Sequence, residues 1–203
     1  MPAKPFHGLL LVLVGLSPVF ASLPASGAEG DVFPRGRHWC ASTHPNHGTP
    51  QGFGPALDMG SPTDYRWAIL APGDGRVRVF SRVGEDGWGN SVVWISRDGK
   101  ERIHMAHLDT IEATGPVRAG GMIGRVGDTG SSTSPHLHAS RRFRGAPALM
   151  VLGGRLLRAG DCRVSRGPAE SALPPPDLRP GWLRRDATPT RAAEDAAEPR
   201  PRP

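Results

Sequence analysis

The chain has 203 residues, a formal net charge of +6 and 37% hydrophobic residues. That length suits one domain with flanking segments, and two cysteines are too few for a disulfide-dense scaffold. The basic balance favours anionic partners, nucleic acid and the anionic bacterial wall alike, and does not choose between them.

In chain order, Lys4 precedes an apolar run at residues 9–20 that Pro18 interrupts. The run is shorter than the roughly 20 residues a membrane-spanning helix needs. Small residues follow, with Ala21 and Ala28 both suited to cleavage, which is the order of an export signal. Residues 1–28 are therefore expected to be a signal peptide, placing the mature protein in a periplasm or outside the cell. Export turns the choice of anionic partner toward the wall and away from nucleic acid. No later stretch has the length and apolarity of a transmembrane helix.

Residues 29–167 are expected to form one domain. Cys40 and Cys162 stand near its two ends, and an even pair in an exported chain reads as a disulfide. Residues 41–66 show little periodicity and much Gly, Pro, Ser and Asp, so they read as a long loop. Beyond it the pattern is short, β-branched and punctuated by glycine. Val77 and Val79 alternate with Arg76 and Arg78, the period of a half-buried strand. Residues 91–96 and 102–108 read as two strands around an Asp98-Gly99 turn. Residues 122–126 and 136–143 add two more, and the Gly153-Gly154 pair suggests a hairpin within 148–158. No segment sustains a helical period, so the fold class is all-β and antiparallel.

From Pro168 the composition changes. Nine prolines and balanced charges, six Arg against six Asp or Glu, occupy residues 168–203. Such a segment buries too little apolar surface to offset its ordering entropy and is expected to be a disordered tail.

Eight histidines are present, and a few stand in informative settings. In Ser134-Pro135-His136-Leu137-His138, residues two apart on a strand share a face, so His136 and His138 point together and Leu137 points away. The loop before them, from Gly127 to Thr133, offers backbone N–H groups and tight turns. His107 ends another strand, and His104, three residues earlier, is expected to face the opposite side at solvent or at an edge. Asp58 follows the apolar stub Pro55-Ala56-Leu57. Two imidazoles and one carboxylate would fill three positions of a zinc ion and leave the fourth for water. A further histidine would then serve as general base or stabilise an oxyanion. Spacing alone does not say which histidine takes which part.

These residues resemble a known family. The stretch from Gly124 to His138, with Asp128-Thr129-Gly130-Ser131-Ser132-Thr133 leading into Pro135-His136-Leu137-His138, looks like the signature of lysostaphin/LytM-type zinc endopeptidases. Ala71-Pro72-Gly73-Asp74-Gly75, Trp88-Gly89-Asn90, Ala106-His107-Leu108 and the glycine-rich stretch from Val117 to Gly124 match in the right order. The resemblance implies a small open antiparallel β-fold with the site in a groove, a Zn2+ cofactor and peptidoglycan peptides as substrate. Carried over by residue, it makes Asp58 and His138 metal ligands and gives His107 and His136 catalytic parts.

The first ligand departs from the common pattern. Most of the family places that histidine four residues before the Asp, where this chain has Gly54. Pro45-Asn46-His47-Gly48 with Ala56-Leu57-Asp58 is similar to the β-lytic branch, which makes His47 the ligand and His44 the reserve. Gly54 also sustains an alternative, a catalytically inactive relative that binds the wall or regulates other hydrolases.

Overall fold

The computed structural model describes residues 30–173 apart from 45, 46 and 62. The expected signal peptide, and residues 174–203 of the expected tail, lie outside the described residues. Thirteen short strands account for the regular structure: β1 His38–Ser42, β2 Leu57–Gly60, β3 Ala68–Leu70, β4 Gly75–Ser81, β5 Asn90–Ser96, β6 Glu101–Ile111, β7 Gly115–Val117, β8 Met122–Val126, β9 Leu137–Phe143, β10 Ala146–Ala148, β11 Val151–Leu152, β12 Arg155–Leu156 and β13 Cys162–Val164. Among the described residues the helical structure is one 3-10 turn, Glu170–Ala172, and no helix is long and apolar enough to cross a membrane.

The main sheet runs β13-β1-β2-β9-β6-β5-β4-β7, with β10 beside β9 and β8 joining β3 to β6. Every pairing is antiparallel. The all-β expectation therefore holds, as do the Asp98-Gly99 turn between β5 and β6 and the Gly153-Gly154 hairpin of β11 and β12.

Register decides which side chains share a face, because directly opposed residues project together. One row runs Val79–Val92–Met105–Ala139–Leu57 across β4, β5, β6, β9 and β2. Trp94 and Ile103 lie in the row beside it. Of these, Val92, Met105, Ala139, Trp94 and Ile103 are wholly excluded from solvent and join Phe33, Trp39, Ile69 and Leu137 in one core. Burying each large apolar side chain contributes about 1.5–3 kcal/mol, so this face dominates the stability of the sheet. The opposite face carries a second row, Ser42–Asp58–His138–Ala106, on β1, β2, β9 and β6.

Two expectations need correcting here. Residues 41–66 are not one long loop, since β2 lies within them. Leu57 and Met59 face the core while Asp58 and Gly60 face away, an alternation only four residues long and so too short to stand out. Nor is His104 at solvent or at an edge. It has 0% exposure, because β6 lies between β5 and β9 and other residues cover both its faces.

The Cys40–Cys162 disulfide is present and joins register partners on β1 and β13. Order also continues past Pro168. Its carbonyl accepts a hydrogen bond from the Arg35 N–H at 2.9 Å, Glu170 pairs with Arg37, and Leu173 packs against Ala68, Leu70 and Met122.

Candidate metal centre

The site is built where the polar row crosses the middle of the sheet. His138 on β9 stands opposite Asp58 on β2 and opposite Ala106 on β6. Ala106 is the small neighbour that leaves room for the imidazole. His138 Nδ1 lies 3.2 Å from Asp58 Oδ1. His136 precedes β9, tied by its backbone to Gly127, and brings its Nε2 to 3.2 Å from the same oxygen. Its Nδ1 donates to the Ser134 carbonyl at 2.8 Å. Leu137 between them is buried in the core, as alternation requires.

His47 arrives from the segment between β1 and β2. Its Nε2 is 2.8 Å from Asp58 Oδ1 and 3.0 Å from His138 Nδ1, while its Nδ1 meets the Thr43 hydroxyl at 3.0 Å. His44 stacks on the His47 ring at 4.5 Å but reaches Asp58 only at 4.0 Å. Its side chain is 57% exposed against 7% for His47. Geometry thus favours His47 over His44 as the inner group. Gly54 is excluded as a source of a side chain, since a Cβ there would lie 2.0 Å from the Ala148 carbonyl oxygen.

His107 should point away from this face, one residue along β6 from Ala106. A register shift between β5 and β6, and a positive φ of 63° at His107, turn it back toward the site. Its Nδ1 donates to the Thr129 carbonyl at 2.8 Å, which leaves Nε2 as the nitrogen facing the cleft. The ring lies 5.0 Å from His136 and 5.6 Å from His138, centre to centre.

The electrostatics follow from burial and from Asp58. Burial alone would raise the Asp58 pKa, but hydrogen bonds from His136, His138 and His47 outweigh it and hold the carboxyl far below its usual range. Burial pushes His107 and His138 down. His136 is also desolvated, yet its contact with Asp58 raises it above the ordinary value.

Three donor atoms, His47 Nε2, Asp58 Oδ1 and His138 Nδ1, therefore stand 2.8–3.2 Å from one another. The donors of a tetrahedral zinc with bonds of about 2.0–2.1 Å stand roughly 3.4 Å apart. Two imidazoles and a carboxylate converging at nearly that spacing fit zinc.

All five residues expected from the sequence are brought together. Reasoning from the sequence alone missed the groups that hold them. Trp88 tilts over His138 at 5.1 Å between ring centres, and the Thr129 hydroxyl donates to the Leu108 carbonyl at 2.8 Å. Trp88-Gly89-Asn90 and Asp128-Thr129-Gly130 are visible motifs, but Thr43 carries no distinguishing pattern.

Fold and site together define a metallopeptidase-like β-domain. Residues 53–149 match the model of peptidase family M23. The chain is 36% identical over 111 residues to the DD-carboxypeptidase/endopeptidase Mpg of Neisseria meningitidis serogroup B, covering 54% of this chain and 21% of that protein. It matches the Neisseria gonorrhoeae protein of the same name equally. The chain thus spans about a fifth of the length of the curated relatives it matches. The catalytic domain of the peptidase lysostaphin from Staphylococcus simulans shares 27% identity, with 57% of this chain and 88% of that chain covered and a TM-score of 0.42. A mutant catalytic domain of the prophage-encoded protein EnpA from Enterococcus faecalis shares 27%, covering 64% and 98%, with a TM-score of 0.41.

Proposed function

We infer that the chain is an exported zinc endopeptidase that hydrolyses peptide bonds in bacterial peptidoglycan. The observation that carries the reading is the convergence of His47 Nε2, Asp58 Oδ1 and His138 Nδ1, flanked by His107 and His136. The basic charge and the family support the wall as the place of action. His47, Asp58 and His138 would hold the metal. Zinc supplies a water of lowered pKa and polarises the scissile carbonyl.

The remaining work falls to side chains. His107, kept neutral by burial and fixed in one tautomer by the Thr129 carbonyl, presents a basic Nε2 that takes a proton from the attacking water. His136, shifted toward its protonated form by Asp58, would offer its Nε2–H, which meets Asp58 Oδ1 at 3.2 Å in this structure, to the oxygen on which negative charge develops. The two histidines are thus shifted in opposite directions, His107 toward its neutral form by burial and His136 toward its protonated form by contact with Asp58.

The test is a zinc analysis of the purified protein paired with a mass-analysed digest of purified peptidoglycan. About one zinc per chain and new peptide termini support the enzyme. A zinc-loaded protein that leaves peptidoglycan intact supports instead the inactive, regulatory relative.

A further inference from the structure

Beneath the metal centre lies a second polar group that neither the sequence reading nor the proposed reaction employs. His104 is fully buried, and neither ring nitrogen has a hydrogen-bond partner among the described residues. The same holds for the Ser140 hydroxyl and for His138 Nε2. These atoms are neighbours by register. His104 opposes Ser140 across β6 and β9, and His138 and Ala106 form the adjacent pair on the same face. Buried polar atoms without partners are rare in folded proteins, and several on one small patch mark a place that ordered water completes.

The walls say which atoms such water reaches. Phe53, Phe80 and Trp88 surround the His104 ring at 6.1, 4.7 and 5.0 Å and offer it faces and edges rather than acceptors. The His104 and His138 rings are 6.2 Å apart, with no direct hydrogen bond between them. That separation suits a single bridging water. Burial keeps His104 neutral, so one of its nitrogens is always an acceptor. If His138 turns Nδ1 to the metal, its Nε2 must carry the proton and needs an acceptor.

We propose that His104 and Ser140, through ordered water, accept the Nε2–H of His138 and thereby hold its Nδ1 toward the metal. His104 is then a positioning residue, acting through His138. The inference rests on the reading of His138 as a zinc ligand. Outer partners of metal-bound histidines typically set 10- to 100-fold in metal affinity.

The experiment measures zinc affinity by chelator competition for wild type, His104→Phe, His104→Gln and Ser140→Ala. His104→Phe keeps the aromatic packing and removes both nitrogens. It should bind zinc about 10- to 100-fold more weakly, while His104→Gln, which can still hydrogen-bond, should recover much of the loss. In zinc-loaded protein with 15N-labelled histidine, the His138 Nε2–H should be slow to exchange in wild type and fast in His104→Phe. A merely structural role for His104 would not move that proton. Should His104→Phe fail to fold, Ser140→Ala carries the test, with the same direction expected in both readouts. Affinity within twofold of wild type and an unchanged proton signal in the folded variants overturn the inference alone. A wild type that takes up no zinc overturns the metal reading as well.

Discussion

The α-carbon of Gly54 abuts the backbone of Ala148, so closely that a Cβ on Gly54 would stand 2.0 Å from the Ala148 carbonyl oxygen. Gly54 is four residues before Asp58, the position from which the common family pattern draws its first histidine. In this chain that position is filled by backbone, and the imidazole that meets Asp58 at 2.8 Å from the preceding segment is His47, the ligand proposed above. Gly54→His should therefore not add a ligand. It should destabilise the domain by about 1–3 kcal/mol, the usual penalty for forcing atoms into packed space. Urea unfolding reads the stability, and zinc titration should still show one site. In the same titration His47→Ala should lose most metal affinity, whereas the exposed His44→Ala should stay within a few fold. Equal losses in both would place His44 among the ligands.

The Cys40–Cys162 bridge closes 122 residues and ties β1 to β13. β1 in turn pairs with β2, the strand that carries Asp58. Chain entropy for a loop of that size amounts to about 4–5 kcal/mol, with about 2–5 typical of removing a native bridge. Cys40→Ser with Cys162→Ser should lower the unfolding free energy by an amount in the latter range. Because none of the five site residues lies on β13, the folded fraction should still bind zinc with unchanged stoichiometry. The check is denaturant unfolding beside metal analysis of the same samples.

Metal-free protein should lose stability as pH falls from about 6.5 toward 5. His104 has its pKa lowered well below the ordinary 6.5 by burial, so below that pH the unfolded chain takes a proton that the folded one refuses. Each such proton removes about 1.4 kcal/mol per pH unit. His107 and His138 are shifted the same way, again chiefly by burial. His136 has the opposite sign: its contribution is complete below 6.5 and fades only as pH rises through its raised folded value. The Asp58 contribution is lost only below its unfolded value near 3.8. Neither opposes the trend between pH 5 and 6.5. Unfolding midpoints across that window should fall with acid, and His104→Phe should flatten the slope by about one proton. A level profile in wild type would refute the buried neutral histidines.

Much of this site is legible in the sequence, because alternation along a strand is a local rule. His136 and His138 two apart, with Leu137 in the core, required only that rule. His104 was misplaced by the same reasoning. Three residues separate it from His107, which on a regular strand means opposite faces. The positive φ at His107 breaks the regularity, and both imidazoles end on the site side of β6. Nor did exposure follow from facing away from the core, since Phe53, Phe80 and Trp88 cover that face at His104. β2 escaped notice because four residues give too little period, although Asp58 sits on it. Long-range pairing supplies what the short segments lack.

The two histidines proposed to act on substrate, His107 and His136, are separable from the residues proposed to hold the metal. His107 touches neither Asp58 nor His47 through a hydrogen bond, and its Nδ1–H is committed to the Thr129 carbonyl. His107→Ala should therefore keep one zinc per chain while peptidoglycan cleavage drops by about 10²- to 10⁴-fold, the range for losing a general base. Loss of the hydrogen bond to the Thr129 carbonyl should also let the variant unfold somewhat more easily. Assays run well below its unfolding temperature remove that contribution. His136→Ala should likewise retain metal, because Asp58, His47 and His138 stay in mutual contact without it. Its activity should fall through loss of the Nε2–H donor, and the alkaline limb of the pH–rate profile should change, since contact with Asp58 sets that proton's affinity. The outcome against these assignments is loss of zinc from His107→Ala with retention in His138→Ala, which would exchange the two residues' roles.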